Sequence, residues 1–419
     1  MHPIVVLLLD GLGDRAHGVL GGRTANEAAR TPSLDGLAAR GSCGLIYAIG
    51  PGRAPSSEVA HWSMLGYRPE EFPGRAVFEA LGRGQAVDAA DVFAYAALRP
   101  AERRDDGWWL TGRPDPERDA VAAEQLIARC DGIEIDGLRF SLTHTWRGEA
   151  VLRISGGADD RVTDSDAFFR DRHPLLRPRA LVADAERTAR AAEAWSRDVI
   201  ERLAGERFNV ITLKWWGRPH PVPTFEERHG VRGSLIAGAP FLHGLGRVVG
   251  LEPVPVRDEG ESAEDLRRRT ELVGGRLDDG DAFVLAHIKA ADEAGHTKDP
   301  AVKRRTIEEL DSALGTLGAL EARAVVCVTG DHATPPFPDV IHSGDPVPFL
   351  LAGPGVRRDG VESFGELQCA AGILGQLRGP DMMPVLLNAA DRPLFLGSRP
   401  TPFAGADGYP SAELLEPLR

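Results

Sequence analysis

Short runs of apolar residues set the main limit on what this chain can fold into. They lie at residues 4–9, 208–213, 283–288, 324–328 and 348–351. Segments with helical periodicity, such as residues 301–317 with acid–base pairs on an exposed face, lie between many of these runs. Short continuous strands alternating with helices are typical of a parallel sheet that is covered on both faces. The sequence therefore predicts an α/β fold with a doubly wound, mostly parallel sheet.

The stretch from about residue 68 to residue 225 has a different composition. It is richer in Arg, Asp and Pro, and it holds irregular segments at residues 99–116 and 159–178. Residues 149–154 alternate in polarity, which predicts a half-exposed strand. We therefore predict a core domain of residues 1–67 and 226–419, interrupted by a smaller inserted α/β domain of residues 68–225.

Charge and length exclude several classes of partner. The chain has 419 residues and a formal net charge of −13, so it lacks the excess of cations that binding to nucleic acid or an anionic membrane requires.

The four cysteines are far apart and form no CxxC pair. The first apolar run is too short to span a membrane, and no targeting signal is visible. We expect a cytoplasmic protein, either a monomer or a small homo-oligomer.

Three predicted strands run directly into loops that carry carboxylates or imidazoles. In parallel α/β sheets the carboxyl ends of the strands share one edge, which is where ligands bind. A further histidine just before the next strand can fold back to the same edge. The expected set is Asp10 after the first strand, Asp292 and His296 after the second, Asp331 and His332 after the third, and His342.

The chemistry of this set predicts a metal centre. Asp292 and His296 are four residues apart, so one helical turn puts them on one face. Mixed carboxylate and imidazole ligands suit Mn²⁺, Zn²⁺ or Fe²⁺, and six ligands suit two ions roughly 3.5–4 Å apart. Asp10 alone could be a helix N-cap, and Asp331 with His332 a capped turn, but their joint occurrence at strand ends favours metal binding.

A candidate nucleophile lies between the first two of these strands. Ser57 follows a Gly/Pro-rich loop and leads into an apolar, helix-like stretch. Backbone N–H groups and the helix dipole at such a position suit an incoming phosphate, and metal coordination would lower the pKa of the hydroxyl. The alternative is that Ser56 and Ser57 are simple N-caps.

Taken together, these motifs resemble the alkaline phosphatase superfamily and, more closely, the archaeal-type cofactor-independent phosphoglycerate mutases. The similar stretches include residues 8–11, 24–32, 287–296 and 342–348, which read LLDG, TANEAARTP, HIKAADEAGH and HSGDPVP. The resemblance implies a phosphomutase that interconverts 3-phosphoglycerate and 2-phosphoglycerate through a phosphoserine, so the expected partner is a small phosphorylated metabolite. It implies two divalent ions, with Mn²⁺ preferred over Zn²⁺ or Mg²⁺. Its ligand sets are Asp292, His296 and His342 for one ion, and Asp10, Ser57, Asp331 and His332 for the other.

The resemblance also assigns roles outside the metal ligands. The family's inserted domain closes over the substrate, and its paired arginines match Arg147 and Arg153. Their even spacing would put both on one face of a strand, where they could grip a phosphate or carboxylate. Arg113 and Lys214 are further candidates for substrate binding, and Lys289 matches a family lysine beside the metals, with a catalytic role.

Several stretches depart from the family pattern. The nucleophile motif Gly-Ser-Asp-Thr-Ala-His reads Ser56-Ser57-Glu58-Val59-Ala60-His61, and the Arg-x-Asn-Phe-Ala stretch is replaced at residues 93–97. The hinge motif Thr-Arg-Gly-Ala-Gly reads LKWWG at residues 213–217, where the tryptophans would either shrink the pocket, offer a stacking surface or pack in the core. A phosphohydrolase or phosphotransferase acting on another small phosphate or phosphonate ester is therefore an alternative. A metal-binding protein without turnover is a third.

Overall fold

The computed structural model describes residues 1–115, 119–167, 172–258 and 261–394. Its strands, in chain order, are β1 (Ile4–Leu9), β2 (Ser42–Tyr47), β3 (Val92–Arg99), β4 (Ala101–Arg104), β5 (Gly107–Leu110), β6 (Ile133–Ile135), β7 (Leu138–Trp146), β8 (Glu149–Ser155), β9 (Val210–Gly217), β10 (Gly233–Ala237), β11 (Glu252–Pro255), β12 (Phe283–Ile288), β13 (Val325–Thr329), β14 (Val347–Ala352) and β15 (Gly375–Arg378).

The α-helices are numbered in the same way. They are α1 (Ala25–Ala28), α2 (Pro32–Arg40), α3 (Ser57–Met64), α4 (Arg75–Gly82), α5 (Ala120–Ala128), α6 (Glu186–Arg202), α7 (Phe225–His229), α8 (Pro240–Val249), α9 (Ser262–Asp278), α10 (Ala290–His296), α11 (Pro300–Ala313), α12 (Leu317–Glu321), α13 (Glu366–Cys369) and α14 (Met382–Ala389). Among the described residues, none of these helices has the length and apolar composition needed to cross a membrane.

One compact unit comprises Met1–Phe72 and Val222–Arg419. Its sheet has the strand order β11-β10-β12-β1-β13-β14-β2-β15. The strands from β11 to β13 pair in parallel, as do β15 and β2, whereas β14 is antiparallel to both of its neighbours. Every residue of β1, β12, β13 and β14 is buried, which explains their continuous apolar sequences. The predicted α/β class with a mostly parallel sheet is confirmed.

The register of the three central strands fixes where the polar loops begin. Leu9 pairs with Ile288 on one side, and Leu8 pairs with Thr329 on the other. The strands run in the same direction, so their carboxyl ends reach the same edge of the sheet. The residues that follow these ends are Asp10, Lys289 and Gly330, and the loops and the helix α10 that start there carry the polar side chains.

The second compact unit is Pro73–Pro221, whereas the predicted insert was residues 68–225. Its main sheet is antiparallel, with the order β6-β7-β8-β3-β9. The apolar run at 208–213 belongs here, in β9, and not to the parallel sheet where its composition had suggested it. The strand β8 is also more buried than its alternation predicted, because it lies between β7 and β3 and only Arg153 is exposed.

Candidate metal centre

Asp10 and Asp331 leave their strands without starting a helix. The N–H of Asp10 continues the sheet by donating to the carbonyl of Ile288 at 2.9 Å. The carboxylate of Asp331 accepts from the backbone N–H of Gly11 at 3.1 Å and of His332 at 3.0 Å, which ties together the loops after β1 and β13. The alternative in which these residues serve as helix caps is therefore wrong.

Asp10, Asp331 and His332 form what we call the buried cluster. His332 Nε2 lies 3.3 Å from Asp10 Oδ1 and 3.3 Å from Asp331 Oδ2. All three side chains are almost completely enclosed. One ligand atom from each lies within 4.8 Å of the others, a spacing that suits a shared metal ion.

Asp292, His296 and His342 form what we call the open cluster. Helix α10 carries Asp292 and His296 one turn apart, with Nε2 of the histidine 3.3 Å from Oδ1 of the aspartate. His342 lies in the loop before β14, and its Nε2 is 3.6 Å from the same oxygen. The side chain of His296 is 38% exposed, so this cluster is accessible to solvent on one side.

Two contacts join the clusters. The hydroxyl of Thr334 donates to Asp292 Oδ1 at 2.8 Å and lies 3.2 Å from Nδ1 of His332. The imidazole rings of His332 and His342 are stacked, with centroids 3.7 Å apart. The structure therefore brings all six residues expected from the strand ends into one region.

Ser57 is the first residue of α3, and its Oγ lies 3.1 Å from Nε2 of His332. The neighbouring Ser56 occupies the N-cap position, but its side chain makes no capping hydrogen bond and donates instead to Glu58 at 2.6 Å. Because neither hydroxyl caps the helix, the N-cap explanation fails. The hydroxyl of Ser57 points toward the buried cluster.

The electrostatics of the buried cluster fit a cation. Oδ1 of Asp10 and Oδ2 of Asp331 are buried and accept no hydrogen bond from the described residues. Burial, together with the negative charges of Asp331 and Asp292, holds the pKa of Asp10 well above its ordinary value. Burial lowers the pKa of His332 to about 4, so its imidazole is neutral and can donate a lone pair. Unpartnered carboxylate oxygens beside a neutral imidazole are what a divalent metal ion requires.

The open cluster has a different proton balance. Burial raises the pKa of Asp292, but the hydrogen bonds and charges of His296 and His342 hold it well below its ordinary value. Burial lowers the pKa of His342, yet its hydrogen bond and charge interaction with Asp292 raise it above the ordinary histidine value. The carboxylate of Asp292 and the imidazole of His342 thus stabilise each other's charged forms, and a bound metal ion would take over the stabilisation of the carboxylate.

Sequence reasoning missed two buried histidines. His287 in β12 donates from Nε2 to Asp10 Oδ2 at 3.0 Å and leaves Oδ1 for a metal. Burial holds the pKa of His287 well below its ordinary value, so the ring is neutral. His61 lies in α3 with its ring 5.3 Å from that of His287, and its Nδ1 is 3.7 Å from Asp331 Oδ2. His287 falls within an apolar run, and only the pairing of Leu8 with it places it next to Asp10.

Lys289 lies at the N-cap position of α10. Its ammonium is 4.0 Å from Glu293 Oε1, and 41% of the side chain is exposed. Its positive charge opposes the rise in the pKa of Asp10. Lys289 is therefore a partly exposed lysine whose positive charge lies near Asp10.

The second unit contains a cavity of about 150 Å³ with cationic walls. Arg113, Arg147 and Lys214 line it, together with Arg99 and Glu149. Three of the four side chains predicted to bind substrate are thus together. Burial lowers the pKa of Lys214 to about 8, although Asp166 and Glu149 oppose this.

The predicted geometry of Arg147 and Arg153 is wrong. Arg147 lies in the turn between β7 and β8 with φ 55°, and its guanidinium is 3.5 Å from the ring centroid of Trp146. Arg153 lies within β8 and pairs with Asp91 at 2.5 Å. Arg147 lies in the turn itself and Arg153 in the strand that follows, so they do not share a strand face. Arg153 is not among the described residues that line the cavity.

The paired tryptophans pack into the second unit. Trp216 packs against two clusters of buried residues, one that includes Trp195 and one that includes Ala189. Trp215 packs beside Tyr95 with ring centroids 5.0 Å apart. Trp215 has φ 57°, a conformation that favours glycine, at an irregularity in the pairing of β9 with β3. The hinge motif that the resemblance implies has glycine at this position, and glycine adopts a positive φ without strain. The ammonium of Lys214 lies 4.3 Å from the Trp215 ring centroid.

Comparisons with known proteins agree with this geometry. The family model described as the Metalloenzyme superfamily matches residues 2–389. The 2,3-bisphosphoglycerate-independent phosphoglycerate mutase 2 of Methanocaldococcus jannaschii is 32% identical over 420 residues, covering 94% of this chain and 95% of the relative. The corresponding mutase of Methanopyrus kandleri is 36% identical over 414 residues, covering 93% and 97%.

Solved structures are also similar to this chain over nearly its whole length. A cofactor-independent phosphoglycerate mutase from Thermoplasma acidophilum is similar with a TM-score of 0.65 and 30% identity, covering 93% of this chain and all of the other. A protein from Pyrococcus horikoshii is similar with a TM-score of 0.76 and 27% identity, covering 95% and 99%. The likeness therefore extends over both units of the chain.

Proposed function

This chain belongs to the Metalloenzyme superfamily and, within it, to the 2,3-bisphosphoglycerate-independent phosphoglycerate mutases, and on that basis we propose that it interconverts 3-phosphoglycerate and 2-phosphoglycerate through a phosphoserine on Ser57. The resemblance expected from the sequence motifs is confirmed, and with it the class of metal-dependent phosphomutase, an isomerase. The observation that carries the finer proposal is the hydroxyl of Ser57, 3.1 Å from His332 in the buried cluster.

The metal ligands follow from the two clusters. The open cluster would hold one divalent ion, and the buried cluster together with Ser57 would hold the other. We propose Mn²⁺ for both, because mixed carboxylate and imidazole ligands suit it. When bound, the two ions supply positive charge that neutralises the transferring phosphoryl group and acidifies the serine hydroxyl.

The reaction then consists of two matched transfers. Ser57 Oγ forms a bond to phosphorus while the bond from phosphorus to the C3 oxygen of the substrate breaks. The C2 oxygen of the resulting glycerate next attacks the phosphoserine, and the bond to Ser57 Oγ breaks. The proton lost by each attacking hydroxyl is regained by the oxygen that leaves, so the serine is restored. Lys289 contributes positive charge beside the centre.

We assign substrate recognition in the second unit to the cationic cavity. Arg113, Arg147 and Lys214 would bind an anionic group of the substrate through charge-assisted hydrogen bonds. Arg153 is left out of this set because Asp91 already takes its guanidinium. A cytoplasmic location and a role in glycolysis are part of the same proposal, since phosphoglycerates are the substrates.

A coupled assay tests the mutase activity. With Mn²⁺ and 3-phosphoglycerate, enolase and pyruvate kinase convert the 2-phosphoglycerate formed into pyruvate. Ser57→Ala should abolish this signal while Mn²⁺ binding is retained, and Ser56→Ala serves as the matched control with activity near wild type. Full activity of Ser57→Ala would remove the serine from the mechanism. A folded, Mn²⁺-loaded wild-type protein without any signal would remove the mutase assignment.

A phosphohydrolase of another small phosphate ester is the second candidate, and the altered second unit favours it. Residues 93–97 lack the arginine and asparagine of the family stretch, and Tyr95 there donates a hydrogen bond to Glu149, a residue that lines the cavity. A carboxylate in an anion-binding cavity favours a substrate with an additional hydroxyl donor. Phosphate release from a panel of phosphorylated metabolites decides between the two candidates. Mutase turnover with no phosphate release excludes the hydrolase.

A further inference from the structure

Lys303 is a fully buried lysine on a helix expected to show its charges to solvent. It lies in α11 and is 0% exposed, on the same helix face as Ile307 and Leu310. Lysine is almost never completely buried unless its ammonium is paired. The position therefore calls for a reason beyond helix amphipathicity.

The ammonium of Lys303 has all three of its donors satisfied by backbone carbonyls. It donates to Gly11 at 2.9 Å, Gly13 at 2.7 Å and Thr334 at 3.0 Å. No ion pair within 4.0 Å of this ammonium occurs among the residues that the structure describes. Its direct partners are therefore main-chain atoms and not carboxylates, so the side chain fixes the backbone.

The three carbonyls belong to the two loops that carry the metal ligands. Gly11 follows Asp10 directly, and its own N–H is bonded to Asp331. Thr334 is two residues beyond His332, and its hydroxyl is bonded to Asp292 of the open cluster. The ammonium of Lys303 thus bonds to both loops, and residues of these loops contact the buried cluster and the open cluster.

The packing in this region leaves little room for adjustment. A Cβ on Gly11 would lie 2.6 Å from the Thr334 hydroxyl oxygen and 2.7 Å from the Cα of Asp292. Loops this close cannot shift independently, so a change in one carbonyl anchor is transmitted to the ligands.

We propose that Lys303 is a positioning residue of the metal centre, whose ammonium sets the spacing between the buried and the open clusters. It would touch neither ion nor substrate. Partners that orient metal ligands in this indirect way typically contribute 10–100-fold to metal affinity. The proposal rests on the metal ligands assigned under the proposed function.

Whether Mn²⁺ affinity falls or rises when Lys303 is replaced distinguishes a positioning role from a purely electrostatic one. Burial lowers the pKa of the Lys303 ammonium, and the negative charges of Asp14, Glu366, Asp292 and Asp10 nearby oppose that shift. Removing a positive charge near a cation site would by itself strengthen metal binding, because like charges repel. Removing the anchor takes one donor away from each of three buried carbonyls, of which that of Gly13 still accepts from the N–H of Thr334 at 3.0 Å. This loss would let the loops rearrange and weaken binding.

The test is Mn²⁺ titration of metal-free, folded protein by calorimetry. We expect Lys303→Met to bind Mn²⁺ about 10–100-fold more weakly than wild type. At saturating Mn²⁺, electron paramagnetic resonance should show a loss of the spin-coupled pair that two neighbouring ions give in wild type. Unchanged or tighter Mn²⁺ binding by Lys303→Met would overturn the proposal.

Arg228→Met is the matched control. Arg228 is another buried cation of the same unit, and it bonds to Gly66 at 3.2 Å and Glu71 at 2.6 Å, away from the metal loops. It should lower the unfolding temperature and leave Mn²⁺ affinity unchanged. If both variants weaken Mn²⁺ binding equally, Lys303 acts only through general stability and the proposal fails.

Lys303→Arg covers the case in which the methionine variant does not fold. Arginine keeps the positive charge but cannot present three diverging donors from a single nitrogen, so Mn²⁺ affinity should fall by about tenfold. Wild-type affinity in folded Lys303→Arg would overturn the proposal. If wild-type protein itself binds fewer than two Mn²⁺ ions, it is the metal assignment that fails and not the role of Lys303 alone.

Discussion

In the first unit, most side chains of the metal centre lie on the loops and the helix that follow buried parallel strands. In the second unit, the cations lie on a turn, a loop and a strand of an antiparallel sheet. The metal centre is acid-rich, and its residues bond to one another and to backbone groups. The cavity of the second unit is lined instead by Arg113, Arg147 and Lys214. The first arrangement suits divalent cations and the second suits an anion.

The two regions should therefore fail differently when they are altered. A group that stabilises charge only in the transition state affects kcat, whereas a group that binds the ground state equally well affects KM. We expect substitutions in the metal centre to reduce kcat or metal affinity, and substitutions in the cavity to raise KM. The following predictions test that division, starting with the largest effect.

Asp331→Asn should reduce kcat by about 10³-fold. The amide can keep the hydrogen bond that Gly11 N–H gives to Asp331 Oδ1, so the loop stays in place while the negative charge is lost. Steady-state kinetics at saturating substrate, with Mn²⁺ content measured in parallel, gives the result. A normal kcat would show that the buried cluster is not the reaction centre.

His296→Gln should weaken Mn²⁺ binding at the open cluster by about 100-fold, and excess Mn²⁺ should restore activity. The side chain is partly exposed, so the ion can be replaced from solution. Activity as a function of Mn²⁺ concentration measures the shift. Glu293→Gln, at an exposed position of the same helix, is the control and should follow the wild-type curve.

Lys214→Met should raise KM for 3-phosphoglycerate about tenfold and leave kcat nearly unchanged. A hydrogen bond to a charged group contributes about 1.5–3 kcal/mol, which corresponds to a change of tenfold or more. Initial rates over a range of substrate concentrations separate the two constants. A fall in kcat with constant KM would contradict the division between the two units.

KM should rise about threefold or more between pH 7 and pH 9. Burial lowers the pKa of Lys214 to about 8, so the ammonium is charged below that pH and loses its proton above it. Anion binding is therefore strongest at lower pH and weakens as pH rises through about 8. Lys214→Arg should have a flatter profile, because arginine stays protonated throughout this range. An identical profile in that variant would assign the titration to another group.

Arg153→Gln should change KM by less than about twofold and lower the unfolding free energy by about 1 kcal/mol or less. Its guanidinium pairs with Asp91, and 44% of its side chain is exposed, so the ion pair contributes little. Kinetics together with urea unfolding measures both quantities. A large rise in KM would show that anion binding extends beyond the cavity and would return Arg153 to the substrate-binding set.

The sequence predicted most of the metal centre because its ligands obey rules of local order. Asp10, Asp292 and Asp331 each lie at or near the end of a continuous apolar strand, and parallel strands bring such ends together. The spacing of His296 from Asp292 is a helical repeat, and α10 realises it. These positions depend on strand direction and helix period, both of which a single sequence displays.

The supporting residues could not be predicted in this way. His287 lies in an apolar strand and Lys303 in an amphipathic helix, so neither stands out in the sequence. The contact of His287 with Asp10 spans 277 positions of the chain, and the contacts of Lys303 with Gly11 and Gly13 span about 290. Arg147 and Arg153 were misread for a related reason. The turn at Arg147 changes the direction of the chain, so counting residues along a presumed strand gives the wrong face.

The stacked rings of His332 and His342 have a consequence for how the enzyme takes up its ions. Each imidazole belongs to a different cluster, and their faces are in contact. Because the ring faces are in contact, an ion bound by one imidazole would restrict the orientation of the other. Uptake would then be cooperative, and cells short of transition metal would contain a mixture of empty and fully loaded enzyme molecules, with few that carry a single ion.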